Sequence, residues 1–208
     1  MAIGMAGCAT DARVDPTDAV FQVSLRTCTP DIENRATAVS IGDGLALTVA
    51  HSFDEAGDVN LVGPDDSELP ATLVYLDRQR DIALLSFDPN DVAPETSEGL
   101  QIHSDADEPA EIGRVVVHRE GTTTTVSVDL LRRTAVTLDG VGRRQGIELR
   151  GTIERGDSGA PVLDDRDRII GMVFASSRSS DTGWAVAASE LVSVKDEAGP
   201  PIPLSCNL

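Results

Sequence analysis

The chain divides its apolar residues into twelve short runs, with turn residues such as Gly, Pro, Asp and Asn between them. Val20-Phe21-Gln22-Val23-Ser24-Leu25 alternates apolar with polar over most of its length, the period of a strand with one buried face. Ala36–Ile41 and Leu45–Val49 repeat the signal on either side of Gly42-Asp43-Gly44, a tight turn. Further strands are predicted at Asp58–Val62, Leu69–Leu76 and Asp81–Phe87. After these come Arg114–His118, Thr123–Leu131, Gln145–Arg150, Ala160–Leu163, Ile169–Ala175 and Gly183–Ala187. Many short strands at close spacing predict an all-β barrel or sandwich. Aromatic residues are only 3% of the chain, so the core must be built from Val, Leu, Ile and Ala.

The organisation is simple. Residues 1–16 have no period and read as a leader or tether. Residues 89–99 are acidic, Pro-containing and aperiodic, like a linker. They divide the chain into 17–98 and 99–208. Ala187–Lys195 is expected to form one short C-terminal helix. The formal charge is −18, and Lys195 is the sole lysine. Such a charge repels nucleic acid and anionic membrane, so binding to either surface is not expected. It suits solubility outside the cytoplasm or in salt, with recognition of basic substrates as the other reading.

The three cysteines show no metal-ligand spacing. No metal or cofactor is expected. Small residues precede Cys8, as in a lipoprotein signal, but there is no basic n-region and the apolar stretch is short. Cys8 is thus either a lipidated membrane tether or part of an ordinary leader. Cys28 and Cys206 remain, near the two ends of the folded segment. They form either a disulfide, which places the protein outside the cytoplasm, or two unpaired thiols. The bridge is the expectation carried forward. Oligomeric state cannot be read from the sequence.

Acyl transfer by a serine needs a hydroxyl on a tight turn, a base, and donors for the developing oxyanion. Gly156-Asp157-Ser158-Gly159 supplies a turn in which the Gly156 and Ser158 amides can point the same way. Alone, it would serve equally as a surface turn. His51 follows the run Leu47-Thr48-Val49-Ala50, at a strand end. Asp81 opens the apolar run Ile82-Ala83-Leu84-Leu85, where a carboxylate is costly to bury unpaired. Each residue has an ordinary reading by itself. Their arrival in the order His, Asp, Ser, each beside a strand, points to one site.

These segments resemble the chymotrypsin-like serine peptidases. Thr48-Val49-Ala50-His51 is similar to that family's Thr-Ala-Ala-His. Asp81-Ile82-Ala83-Leu84 matches its Asp-Ile-Ala-Leu, and Gly156-Asp157-Ser158-Gly159-Ala160-Pro161 resembles its Gly-Asp-Ser-Gly-Gly-Pro. The short loops look most like bacterial and Deg-type members. The resemblance implies two six-stranded antiparallel barrels with the active site in the cleft between them. It implies a serine endopeptidase acting on protein or peptide through an acyl-enzyme. Ser158 would be the nucleophile, His51 the base, Asp81 its orienter, and the Gly156 and Ser158 amides the oxyanion hole. The alternative is a silent homologue that binds protein without cleaving it.

The departures are informative. The resemblance places Thr152 at the floor of the primary specificity pocket, and a neutral floor implies small or medium uncharged residues before the scissile bond. The family's Ser-Trp-Gly wall is replaced by Phe174-Ala175-Ser176, so the serine that would hydrogen-bond the triad aspartate is missing. No Ile-Val-Gly-Gly start precedes Val20, so Asp157 needs a counterion other than a freed amino terminus. Arg155 is the candidate by proximity in sequence. His103 and His118 match no motif and are expected to be structural or exposed.

Overall fold

The computed structural model describes residues 14–29, 33–54, 56–103, 111–119, 121–138, 141–177 and 180–206. Cys8 lies outside the described residues. Seven strands form the first sheet: β1 Val20–Thr27, β2 Glu33–Gly42, β3 Leu45–Thr48, β4 Ala56–Val62, β5 Glu68–Pro70, β6 Thr72–Asp77 and β7 Ile82–Ser86. A single short α-helix, Pro94–Glu98, lies in the segment before the second sheet. That sheet holds β8 Ile112–Arg119, β9 Thr122–Leu138, β10 Val141–Arg150, β11 Pro161–Leu163, β12 Ile169–Ser176 and β13 Thr182–Ala187. Every paired strand is antiparallel to its neighbour in both sheets.

The expected pair of β-barrels is present, with two differences. The second sheet closes in the order β10-β13-β12-β11-β8-β9, six strands as expected. The first has seven strands, ordered β5-β4-β1-β2-β3-β7-β6, and stays open as a half-barrel. The extra strand arises because Leu69–Leu76, expected as one strand, breaks after Pro70. Pro70 ends a short edge strand on β4, and from Thr72 the chain pairs with β7 instead. Proline has no N–H for a further partner, which confines it to an edge. The expected C-terminal helix is also replaced. Ala188–Glu190 and Val194–Glu197 form two separate 3-10 turns. β-branched Val192 and Val194 disfavour a continuous helix, and the break lets Leu191 and Val194 both enter the core.

Strand period explains how the two sheets share one interior. On β8, Val115 and Val117 point into the closed barrel, while Val116 faces the core of the first sheet. β12 does the same with Ile170 and Val173 on one side and Ile169, Met172 and Phe174 on the other. Strands buried on both faces read as continuous apolar runs, as Val115-Val116-Val117 does. With few rings available, Phe21 packs against Phe87, edge to face at 5.6 Å.

The segment after the last turn crosses back to the first sheet. The N–H groups of Gly199 and Ile202 donate to the carbonyls of Val74 and Leu73, capping the open edge at β6. Cys206 thereby reaches Cys28 at the end of β1, with Cα atoms 5.1 Å apart, inside disulfide range.

His118, on β8, is buried at 4% exposure, and its Nε2 has no partner. Burial pushes its pKa below the ordinary 6.5, against a weaker upward pull from Asp66. The folded state therefore binds fewer protons at His118 than the unfolded state does. Its contribution is fully present above about pH 6.5 and falls as pH drops below that value. Denaturant titrations at pH 7.5 and 5.5 should show wild type losing stability at the lower pH, and His118→Asn losing less.

Candidate active site

β3 ends at Thr48, and the chain turns into the 3-10 segment Ala50–Phe53, which carries His51 out of the core. Asp81 sits just before β7 with φ 59°, a left-handed conformation that Asp tolerates better than most residues. That turn aims its carboxylate at His51. Oδ1 accepts the His51 backbone N–H at 2.8 Å, and Oδ2 lies 2.9 Å from Nδ1. Because a carboxylate only accepts, Nδ1 carries the proton and Nε2 is left as the basic nitrogen. Asp81 is buried and His51 about half exposed.

Ser158 belongs to the second barrel, but its turn is bonded to the first sheet. The Ser158 carbonyl accepts from Thr37 N–H at 2.7 Å, and the Gly156 carbonyl from Thr37 Oγ1 at 2.9 Å. Thr37 in turn accepts from Thr48 Oγ1 at 2.7 Å, three residues before His51. Gly159, at φ 94°, lies against this pair, and a Cβ there would collide with the Thr37 carbonyl and the Thr48 hydroxyl. This close approach is why glycine follows the nucleophile position. The seam thus brings Ser158 and His51 to one cleft. Ser158 Oγ and His51 Nε2 are not hydrogen-bonded to each other, a contact that often tightens only with substrate.

Neither the Gly156 nor the Ser158 N–H is taken by an acceptor among the described residues. Asp157 N–H donates instead to the Glu154 carbonyl at 3.2 Å. Gly156 adopts φ 101°, open only to glycine without strain. Two unspent amides flank the serine, as an oxyanion hole requires.

Asp157 is fully buried, and its counterion is Arg119, not Arg155 as sequence proximity suggested. Arg119 Nε donates to Asp157 Oδ1 at 2.9 Å, and Nη2 donates to Oδ2. Arg119 also reaches the Thr152 carbonyl at 3.3 Å and the Glu154 carboxylate at 3.0 Å. These bonds, first of all those to Asp157, raise the Arg119 pKa further above its ordinary value. Arg155 is exposed. The Asp157 carboxylate turns instead to β8 and also accepts the Glu154 N–H at 2.7 Å. The pair is two-pronged, so it fixes both ends of residues 152–157. Beside this loop lies a cleft of about 310 Å³, lined in part by Gln22, Ala36, His118, Arg119 and Gly156.

The residues assigned to the specificity pocket scatter. Thr152 is exposed, while Ile153 packs against Gly183 of β13. Ala175 and Ser176 lie at the end of β12, paired with Trp184 and Gly183. Phe174 is buried beneath the Arg144 guanidinium, whose carbon lies 4.8 Å from the ring centroid. Arg144 was not anticipated. It is 2% exposed and stands 3.7 Å from Asp81 Oδ2. No local pattern marks either Arg119 or Arg144, since both approach from strands distant in sequence. His103 is half-buried and hydrogen-bonded through its backbone to Ile169.

Comparison with known proteins agrees with this geometry. Residues 36–172 match the family described as trypsin-like peptidase domain, a span that includes His51, Asp81 and Ser158. The chain therefore belongs to the trypsin-like peptidase family, and so to the serine endopeptidases. No curated protein matches it. Its fold is similar to the Rv3671c protease of M. tuberculosis in its active form. The TM-score is 0.77 at 23% identity, covering 92% of this chain and 85% of that one. It is also similar to the HtrA-type protease AlgW solved with a tripeptide. There the TM-score is 0.72 at 20% identity, covering 86% of this chain and 60% of that one.

Removing Arg119 would leave Asp157 buried and unpaired, a cost of about 3–5 kcal/mol. Arg119→Ala should therefore melt at a lower temperature and react with an active-site-directed fluorophosphonate at least about 10-fold more slowly, because the Gly156 and Ser158 amides lose the support of residues 152–157. Melting curves and labelling rates check both outcomes.

Proposed function

We propose that this chain cleaves peptide bonds through an acyl-enzyme formed on Ser158. The observation that carries this reading is His51, tied twice to Asp81 and set with Ser158 on one hydrogen-bonded seam. His51 Nε2 takes the proton of Ser158 Oγ as it attacks a carbonyl, and later returns it to the leaving amine. Asp81 holds the imidazole in the tautomer this requires and stabilises the imidazolium. The amides of Gly156 and Ser158 receive the oxyanion.

Protein or peptide is the substrate class, in keeping with likeness to proteases solved with peptides. The residue before the scissile bond is small or medium and uncharged. Thr152 brings no carboxylate, and Ile153 packed on Gly183 favours an apolar, shallow pocket. The protein works outside the cytoplasm, where a Cys28–Cys206 bridge would persist. Peptide mapping without reductant that finds both thiols free would remove the support for that location.

A second reading, a silent homologue that binds without cleaving, draws on the missing hydrogen bond between Ser158 and His51. A fluorophosphonate probe separates the two. It should label wild type and not Ser158→Ala, and the substitution should lower kcat on the order of 10⁶-fold. Folded wild type that stays unlabelled, with or without peptides present, would favour the second reading. A peptide library run on unmodified wild type should show cleavage after small or medium uncharged residues. A profile dominated by arginine would overturn the pocket assignment.

A further inference from the structure

Arg144, on β10, is 2% exposed in the interior between the two sheets. A guanidinium there has lost its hydration, which costs several kcal/mol unless partners replace the water. Its compensation is specific. Nη1 donates to the Arg80 carbonyl at 2.8 Å, and the same nitrogen stands 3.7 Å from Asp81 Oδ2. The cation also lies over the Phe174 ring. Nε has no partner among the described residues. Asp81 is the one carboxylate paired with this charge among the described residues.

If Arg144 only filled space above Phe174, an apolar side chain would do so without stranding a buried Nε–H. Its contacts instead converge on one peptide unit. The Arg80 carbonyl belongs to the bond leading into Asp81, the residue held at φ 59°. A hydrogen bond to that carbonyl fixes the orientation of the strained turn, and the turn decides where both carboxylate oxygens point. Those oxygens meet His51 N–H and Nδ1. The tip of the same hairpin supports the turn from outside, since Gly142 lies so close to the Gln79 carbonyl that a Cβ would collide with it. Position 174, where the resemblance places the serine that would hold the aspartate, is phenylalanine here. Arg144 stacks on that ring and stands 3.7 Å from the carboxylate.

We propose that Arg144 is a positioning residue of the active site, fixing Asp81 through the Arg80 carbonyl and through its own charge. This rests on the reading of His51, Asp81 and Ser158 as a triad. Arg144 touches neither substrate nor the reacting atoms. It acts on His51 through Asp81, so its loss should slow attack by Ser158 without weakening the encounter with the reagent.

The test uses the full chain, with Arg144→Met and Arg144→Lys. Saturation kinetics with a fluorophosphonate, which phosphonylates the serine and releases fluoride, give the maximal modification rate and the half-saturating concentration separately. Arg144→Met should lower the maximal rate about 10- to 100-fold and leave half-saturation nearly unchanged, since small misplacements of a triad act on the chemical step. Arg144→Lys keeps the charge and should recover part of that rate. Proton NMR supplies a readout that needs no turnover. Wild type should show a far-downfield resonance of the His51 Nδ1 proton, and it should shift or vanish in Arg144→Met. A melting curve confirms the fold, and Arg144→Gln takes the place of the methionine variant if that one does not fold. The proposal is overturned if the neutral variant keeps the maximal rate within about twofold and leaves the resonance in place. Failure of wild type to label would instead count against the triad itself, and the resonance would still report whether Arg144 orders the His51–Asp81 pair.

Discussion

A fully buried carboxylate next to the nucleophile position sets the terms for this structure. Asp157 cannot stay ionised inside a protein without a cation and donors, and Arg119 supplies the cation from β8. Pairing the two pulls residues 152–157 against the closed barrel. Gly156 is then free to take its positive φ, and the Gly156 and Ser158 amides have no acceptor among the described residues. The donors that an oxyanion would need are thus held in place by an internal ion pair. No new amino terminus has to enter the site to provide the charge.

The remaining geometry follows from how the two sheets meet. Their shared interior is aliphatic, built from strands with both faces buried, so it gives cohesion without direction. Direction comes from a few polar contacts across the seam. Thr37 binds the nucleophile turn, Thr48 binds Thr37, and Arg144 binds the turn that carries Asp81. Each is buried, and each would be costly if left unpaired, so the sheets have one favourable docking. Asp81 adds a strained backbone that these contacts hold. The segment from Gly199 to Cys206 covers the open edge at β6 and reaches Cys28, so it joins the first sheet.

Much of the site was legible in the sequence because its parts are local. His51, Asp81 and Ser158 each lie beside an apolar strand with a recognisable neighbourhood. Gly156 and Gly159 mark backbone that other residues could not adopt. What was misread depends on partners far along the chain. Arg155 was the nearest cation to Asp157 in sequence, yet an arginine 38 residues away makes the pair. Leu69–Leu76 has the period of one strand, but Pro70 and the edge position of β5 split it. Ala187–Lys195 has helical composition, but the core recruits Leu191 and Val194 through two separate turns.

The sequence by itself determined the all-β class, the order of the strands along the chain, and the residue types offered for acyl transfer. Those properties rest on side-chain period and backbone permissiveness, which act over a few residues. Only the tertiary structure decided which charges meet. It left the first sheet open, gave Asp157 to Arg119, and set Arg144 behind Asp81. An ion pair forms where two groups are desolvated together, and burial is a property of the packed molecule that no local stretch of sequence contains.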